Sequence, residues 1–199
     1  AGGIGTTEEG RVGAAPRGCP IWSPIWSRRS TYEYIMIRTA IITLSDKGSA
    51  GERRDESGRL IGEMISSIGA SADHYEILPD EKALIAATLR RLSDSGSFDL
   101  IVTTGGTGVA PRDVTPEATR EVIERDLPGM SEAMRAESLK KPPHAMISRA
   151  VAGIRKQTLI VNLPGSPKAV RENLSVILPA LPHAIEKIKG DPSECGRQA

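Results

Sequence analysis

Residues 98–117, FDLIVTTGGTGVAPRDVTPE, constrain this chain more than any other stretch. An apolar run at 100–102 passes through Thr103 and Thr104 into Gly105-Gly106-Thr107-Gly108, and Thr115-Pro116-Glu117 announces a helix, with Thr115 as its N-cap and Pro116 in its first turn. The order is strand, loop, helix. Glycines let a ligand come close to the backbone, and consecutive free N–H groups in such a loop form a concave anion site, with phosphate the natural guest. A tight βα turn that needs glycine for its dihedrals alone would have the same sequence, so the glycines by themselves leave both readings open. The loop lacks the Gly-Lys-Ser/Thr ending of a P-loop, and its glycines do not have the register of a dinucleotide fingerprint.

The segments around it supply the scaffold. IRTAIITL at 37–44 reads as a buried strand that ends in Ser45-Asp46-Lys47-Gly48 and a polar loop through Asp55. A helix follows from about Ser57, with Leu60, Ile61, Met64, Ile65 and Ile68 on one face and Gly69 as its stop. Residues 72–78 form a weaker strand leading to Pro79-Asp80, where Asp80 can cap a helix carrying Leu84, Ile85, Leu89 and Leu92. The helix begun at Thr115 reaches about Arg125, and Pro128-Gly129 breaks the chain before another at 131–140. Residues 150–154 suit a short edge strand. TLIVNL at 158–163 is a second buried strand, and in the turn Pro164-Gly165-Ser166-Pro167-Lys168 the serine caps and Pro167 starts a helix to about Leu178, before a last helical segment at 179–189. Apolar strands alternating with amphipathic helices specify a mostly parallel sheet with helices on both faces, an α/β fold in three layers, α/β/α, over 36–190.

Residues 1–35 are of another kind. They are glycine-rich, repeat Pro-Ile-Trp-Ser back to back, and hold both tryptophans and two of the three tyrosines. Without them the charges balance at 22 of each sign. Because Met36 directly precedes the first strand, 1–35 is expected to be disordered or a lineage-specific extension, and 191–199 a flexible tail. A formal charge of +1 and no concentrated basic face argue against nucleic acid as a partner. Cys19 and Cys195 belong to no metal or redox motif, and no apolar run reaches membrane-spanning length, so the expected compartment is the cytoplasm, with no membrane partner.

In open α/β sheets ligands sit beyond the carboxyl ends of the strands. Four strand ends here carry chemistry: Ser45-Asp46, Pro79-Asp80, Thr104 through Gly108 to Asp113, and Pro164 to Lys168. The glycine loop and the helix start at Ser166 seek anions, and Lys168 adds a positive charge. Asp46, Asp80 and Asp113 would repel a bare polyphosphate, a conflict that a magnesium ion bridging carboxylates and phosphates resolves. Each residue also has a plain alternative: Asp80 as a helix cap, Asp113 as a turn residue paired with Arg112, Asp46 bonded to its own loop, Lys168 as a surface lysine.

TTGGTG with PRDVTPEAT, LPGMSEAMR, SRAVAGIR and NLPGSPKAV, in this order and spacing, closely resemble the molybdopterin-binding (MogA/MoaB) family of molybdenum cofactor biosynthesis, from Met36 to about Gly190. The resemblance implies a homotrimer of three-layer α/β domains that binds molybdopterin at the glycine loop. The segments at 112–116 and 162–165 look most like the MogA branch, which transfers AMP from ATP to molybdopterin and releases pyrophosphate. The resemblance implies catalytic carboxylates at Asp80 and Asp113, which would also hold the magnesium. It places Ser45, Asp46, Thr104, Gly105, Gly106, Thr107, Gly108, Pro164, Gly165, Ser166 and Lys168 around the substrate, with Ser148 and Arg149 holding the pterin phosphate. A handover to the molybdenum-insertion enzyme would follow. The alternative is a MoaB-like protein or a non-catalytic molybdopterin carrier.

Overall fold

A computed structural model describes Gly2 and residues 36–140 and 143–193. The expected extension at 1–35, apart from Gly2, and the end of the expected tail, 194–199, lie outside the described residues. Strands β1 (Ile37–Leu44), β2 (Ala70–Leu78), β3 (Leu100–Thr104), β4 (Arg125–Asp126), β5 (Ala152–Arg155) and β6 (Thr158–Leu163) form one sheet in the order β2-β1-β3-β6-β5-β4. The first four strands of that order run parallel, and β5 and β4 are antiparallel additions at one edge. The bounds of β1 and β6 agree with the sequence reading residue for residue. Apart from the exposed Arg38 and the buried Asn162, both are runs of β-branched and apolar side chains buried on two faces, the strongest strand signal available.

The helices are α1 (Asp46–Ser49), a single turn, α2 (Glu56–Ile65), α3 (Lys82–Asp94), α4 (Thr115–Val122), α5 (Pro128–Ser138), α6 (Pro167–Ile177) and α7 (Leu181–Ile188). Alternation along the strands sorts them into two layers. Ile37 and Ile41 of β1, Leu100 and Val102 of β3, and Leu159, Val161 and Leu163 of β6 pack against α2, α5, α6 and α7. Ala40 and Ile42, Ile101 and Ile160 point the other way, onto α3 and α4. The three layers expected from the sequence are therefore present.

Five local expectations are corrected. Residue 115 is not the cap of α4: Val114 is, and Thr115 instead donates its hydroxyl back to the carbonyl of Gly105 at 2.9 Å. The helix stops at Val122, because Ile123 is extended and the amides of Glu124 and Leu127 pair with the carbonyls of Ile154 and Ala152. That pairing creates β4, so β5 is not the edge strand. Pro128 reinforces the break, since it disfavours helix at the residue before it, and α5 begins at the proline itself rather than at Ser131. Finally, α3 is preceded by Glu81 with no side-chain cap, so Asp80 is free for other partners.

The chain leaves β1 for β2 on one side and returns to β3 on the other. Strand order thus reverses between β1 and β3, and the crevice beyond their carboxyl ends is where such a sheet takes a ligand. Thr43 and Thr104 are register partners at that point, which sets Ser45-Asp46 beside the glycine loop.

Candidate functional site

The glycine loop is held down by its neighbours on three sides. Gly105 has φ 103° and lies so close to the Leu44 carbonyl that a β-carbon would collide with it, and its amide donates to the Leu163 carbonyl at 3.1 Å. Gly106, φ 61°, has the Thr115 hydroxyl and Asp80 Oδ1 where a side chain would stand. Both positions demand glycine twice over, for conformation and for space. Thr104 Oγ1 donates to the Pro164 carbonyl at 2.8 Å, and Gly165 packs on the Cα of Gly105, so the second turn abuts the first. Ser57, buried at the start of α2, donates to the Gly165 carbonyl at 2.8 Å from the far side.

Charge collects at the ends of β1 and β2. Asp46 and Asp80 cap each other: the Asp80 amide donates to Asp46 Oδ1 at 3.0 Å, and the Asp46 amide to Asp80 Oδ2 at 3.2 Å. Arg112 reaches across from the glycine loop and grips Asp46 with both arms, Nε to Oδ2 at 2.6 Å and Nη2 to Oδ1 at 2.7 Å. The two carboxylates consequently diverge. Hydrogen bonds from Arg112 and then from the Asp80 amide hold Asp46 below its ordinary value. Burial first, and then the negative charges of Asp46 and Asp113, push Asp80 up. Asp80 Oδ1 is buried and has no hydrogen-bond partner among the described residues. A desolvated carboxylate with a bare oxygen among other carboxylates is a destabilised anion, and such groups concentrate at sites that await a cation or a proton.

Asp113 folds back on its own turn. Its Oδ2 accepts from the Ala110 amide at 2.8 Å and its amide donates to the Ala110 carbonyl at 2.9 Å. The turn reading of this residue is correct, but its expected partner is not, because Arg112 pairs with Asp46. Asp46 likewise bonds the β2–α3 junction and Arg112 through its carboxylate rather than its own loop.

Arg149 closes the loop from the other side. Its amide donates to the Thr107 carbonyl at 2.9 Å and its Nε to the Gly108 carbonyl at 2.6 Å, while Nη2 bonds the Asp113 carbonyl and Nη1 pairs with Glu117 Oε1. Between these groups lies a cavity of about 370 Å³ lined by Val109, Ala110, Pro111, Asp113, Val114, Glu117 and Arg149. Its lining combines apolar side chains with the ionic groups of Asp113, Glu117 and Arg149.

Of the residues picked out from sequence, Asp46, Asp80, Thr104 to Gly108, Asp113, Arg149, Pro164 and Gly165 are joined by direct contacts. Ser45 caps α1, its Oγ accepting from the Gly48 amide at 3.0 Å. Ser166 caps α6 as expected, and Lys168 is an exposed residue of that helix's first turn. Ser148 adjoins Arg149, its amide bonded to the Ala145 carbonyl. Sequence reasoning did not find Ser57 or Glu117, nor the partner of Arg112. For Ser57 there was no signal beyond a helix start; Glu117 was visible as an acid in the first turn of α4, a place that suits a carboxylate without any ligand. Among the described residues no group of three or more His, Cys, Asp or Glu side chains is arranged to hold a metal.

Paired glycine turns, a helix N-terminus and an unsatisfied carboxylate at the switch point of a parallel sheet define an α/β domain built for a phosphate-bearing ligand. The family is more specific than the class: residues 40–183 match the model described as the probable molybdopterin binding domain, and the chain belongs to that family. It is 46% identical to the molybdopterin adenylyltransferase of Helicobacter pylori J99, over 78% of this chain and 89% of that protein. Its fold superposes on the molybdopterin biosynthesis enzyme MoaB of Thermus thermophilus with a TM-score of 0.75 and 50% identity, covering 80% of this chain and all of the other. It is also 45% identical to gephyrin of Dictyostelium discoideum over 76% of this chain, but spans only 22% of that protein.

Proposed function

We propose that this protein is a molybdopterin adenylyltransferase: an oxygen of the terminal phosphate of molybdopterin attacks the α-phosphorus of ATP, the bond from that phosphorus to the bridging oxygen breaks, and pyrophosphate leaves. The observation that carries the reading is the 46% identity to a protein of that name over nearly its full length. The site is suited to the task, since phosphoryl-type transfer asks a protein mainly to position groups and neutralise charge. In this reading the amides of Gly106 to Gly108 and the N-terminus of α6, with Lys168, hold anionic groups of the two substrates, while the Gly105 amide stays bonded to Leu163.

Magnesium fits the donor set as an ion carried in with ATP. Asp80 offers a bare hard oxygen, Asp113 a second carboxylate, and the lack of a larger cluster among the described residues leaves the other positions to phosphate and water. When bound, the ion would neutralise phosphate charge and steady the leaving pyrophosphate. Asp46, pinned by Arg112, keeps Asp80 in place by accepting from its amide. The same reading has the enzyme working as a homotrimer in the cytoplasm and passing its product to the molybdenum-insertion enzyme; the match to one part of gephyrin supports such a link to later steps.

A non-catalytic carrier would have the same glycine turns. The test is incubation of the protein with molybdopterin, magnesium and α-labelled ATP. Label on the pterin with one pyrophosphate released per label is the expected result, and pterin binding without pyrophosphate would make the protein a carrier. Asp113→Ala should lower transfer at saturating magnesium; near-normal turnover would remove Asp113 from the mechanism.

A further inference from the structure

We propose that Arg149 is a positioning residue that sets the shape of the glycine loop, and not a ligand of the pterin phosphate. The proposal rests on the adenylyl-transfer reading for its kinetic test. Arg149 touches the loop at three points and helix α4 at a fourth: the Thr107 carbonyl through its amide, the Gly108 carbonyl through Nε, the Asp113 carbonyl through Nη2 and Glu117 through Nη1. All three guanidinium nitrogens face the protein's own chain. Two residues further on, Val151 is fastened to β6 by a pair of bonds, its carbonyl accepting from the Asn162 amide at 2.9 Å and its amide donating to Asn162 Oδ1 at 3.2 Å. Arg149 is therefore a fork with a fixed handle. It ties a loop whose first two glycines sit at positive φ to the central sheet on one side and to helix α4 on the other.

The chemistry favours this role. A planar guanidinium can satisfy three acceptors in fixed directions, while an ammonium is a point charge that cannot span them. Glu117 Oε1 neutralises the fork and aims it, which leaves little net positive charge for a phosphate. A loop that binds anions through backbone amides works only if those amides converge, and a displacement near 1 Å costs about 100-fold in rate.

Charge and shape are separated by Arg149→Lys. If the fork positions the loop, R149K and Arg149→Ala should both lose about 100-fold in kcat, while KM for ATP and for molybdopterin changes less than about threefold. Added ethylguanidinium should restore part of the R149A rate and none of the R149K rate. Glu117→Gln should lower kcat in the same sense, and the double variant should be no slower than R149A alone, as expected of residues that act as one unit. Amide hydrogen exchange gives a readout independent of turnover: exchange across 105–113 should quicken at least tenfold in R149K with the core strands still protected. The proposal is overturned if R149K keeps wild-type kcat with KM for molybdopterin raised tenfold or more, or if exchange across 105–113 is unchanged. Should R149A fail to fold, the same two readouts on E117Q decide. A wild-type protein that releases no pyrophosphate would instead sink the adenylyl-transfer reading, leaving the exchange result to judge Arg149.

Discussion

Two polar side chains next to the glycine loop in space, Asn162 and Asp80, are treated in opposite ways. Asn162, fully buried at the end of β6, is satisfied at every polar atom: its amide nitrogen donates to Thr103 and Thr119 at 2.9 Å each, and its Oδ1 accepts from the Val151 amide. Asp80, at the end of β2, keeps one buried oxygen with no partner among the described residues and a carboxyl raised by burial and by its negative neighbours. A satisfied buried network rigidifies the fold, whereas a buried anion left unpaired costs stability that must be offset elsewhere. The first stiffens the sheet beside the glycine loop, and the second is the group proposed to meet the cation. Their difference marks where stability and function part.

The largest expected effect is on the functional side. Asp80→Asn keeps an oxygen for the Asp46 amide and removes the charge, so adenylyl transfer should fall by about 10²–10³-fold. Its melting temperature at pH 7 should be equal to or above that of the wild type. A melting temperature well below wild type would make Asp80 structural and erase the contrast. The opposite substitution, Asn162→Ala, strands the Val151 amide and two threonine hydroxyls in the core. It should cost about 2–4 kcal/mol in denaturant unfolding, with a smaller effect on kcat per folded molecule.

The contrast also has a pH signature. Because the folded carboxyl of Asp80 is raised, its neutral form imposes no penalty below the ordinary carboxylate value of about 3.9, and charging it destabilises the fold as pH rises through the higher folded value. The stability of wild type relative to D80N should thus decline from about pH 4 upward and then level off, and magnesium with ATP should narrow the gap. Thermal unfolding of both proteins across pH 4–8 measures this; parallel curves would mean that Asp80 is not strained. Smallest of all, Thr119→Val removes one acceptor from Asn162 at nearly constant volume and should cost about 1 kcal/mol, which separates one bond of the Asn162 network from the whole.

The two groups were unequally legible in the sequence. The sheet was readable because β1 and β6 are apolar on both faces, and α6 because Ser166-Pro167 is a strong helix start. The convergence of Asp46, Asp80 and the glycine loop followed from the rule that parallel strands present their carboxyl ends on one side. What escaped notice depends on side-chain direction over long separations. Arg112 and Asp46 are 66 residues apart, and nothing local distinguishes that pairing from one with Asp113. Thr115 had the sequence of an N-cap but turned inward to the Gly105 carbonyl, since a hydroxyl near a crowded glycine turn has a buried acceptor within reach. The two-residue strand at Arg125–Asp126 is too short to have a period and exists only because β5 offers it carbonyls. Asn162 read as one polar letter in an apolar strand; its partners on β3 and α4 gave it meaning.

The most direct measurement is the titration of Asp80 itself, followed through the ¹³C signal of its carboxyl group in the free protein and again with magnesium and ATP. A midpoint above the ordinary carboxylate range is expected in the free protein, with a fall on addition of magnesium and ATP as a cation takes up the bare oxygen. An ordinary midpoint in the free protein, or one that does not respond to magnesium and ATP, would contradict the role given to Asp80.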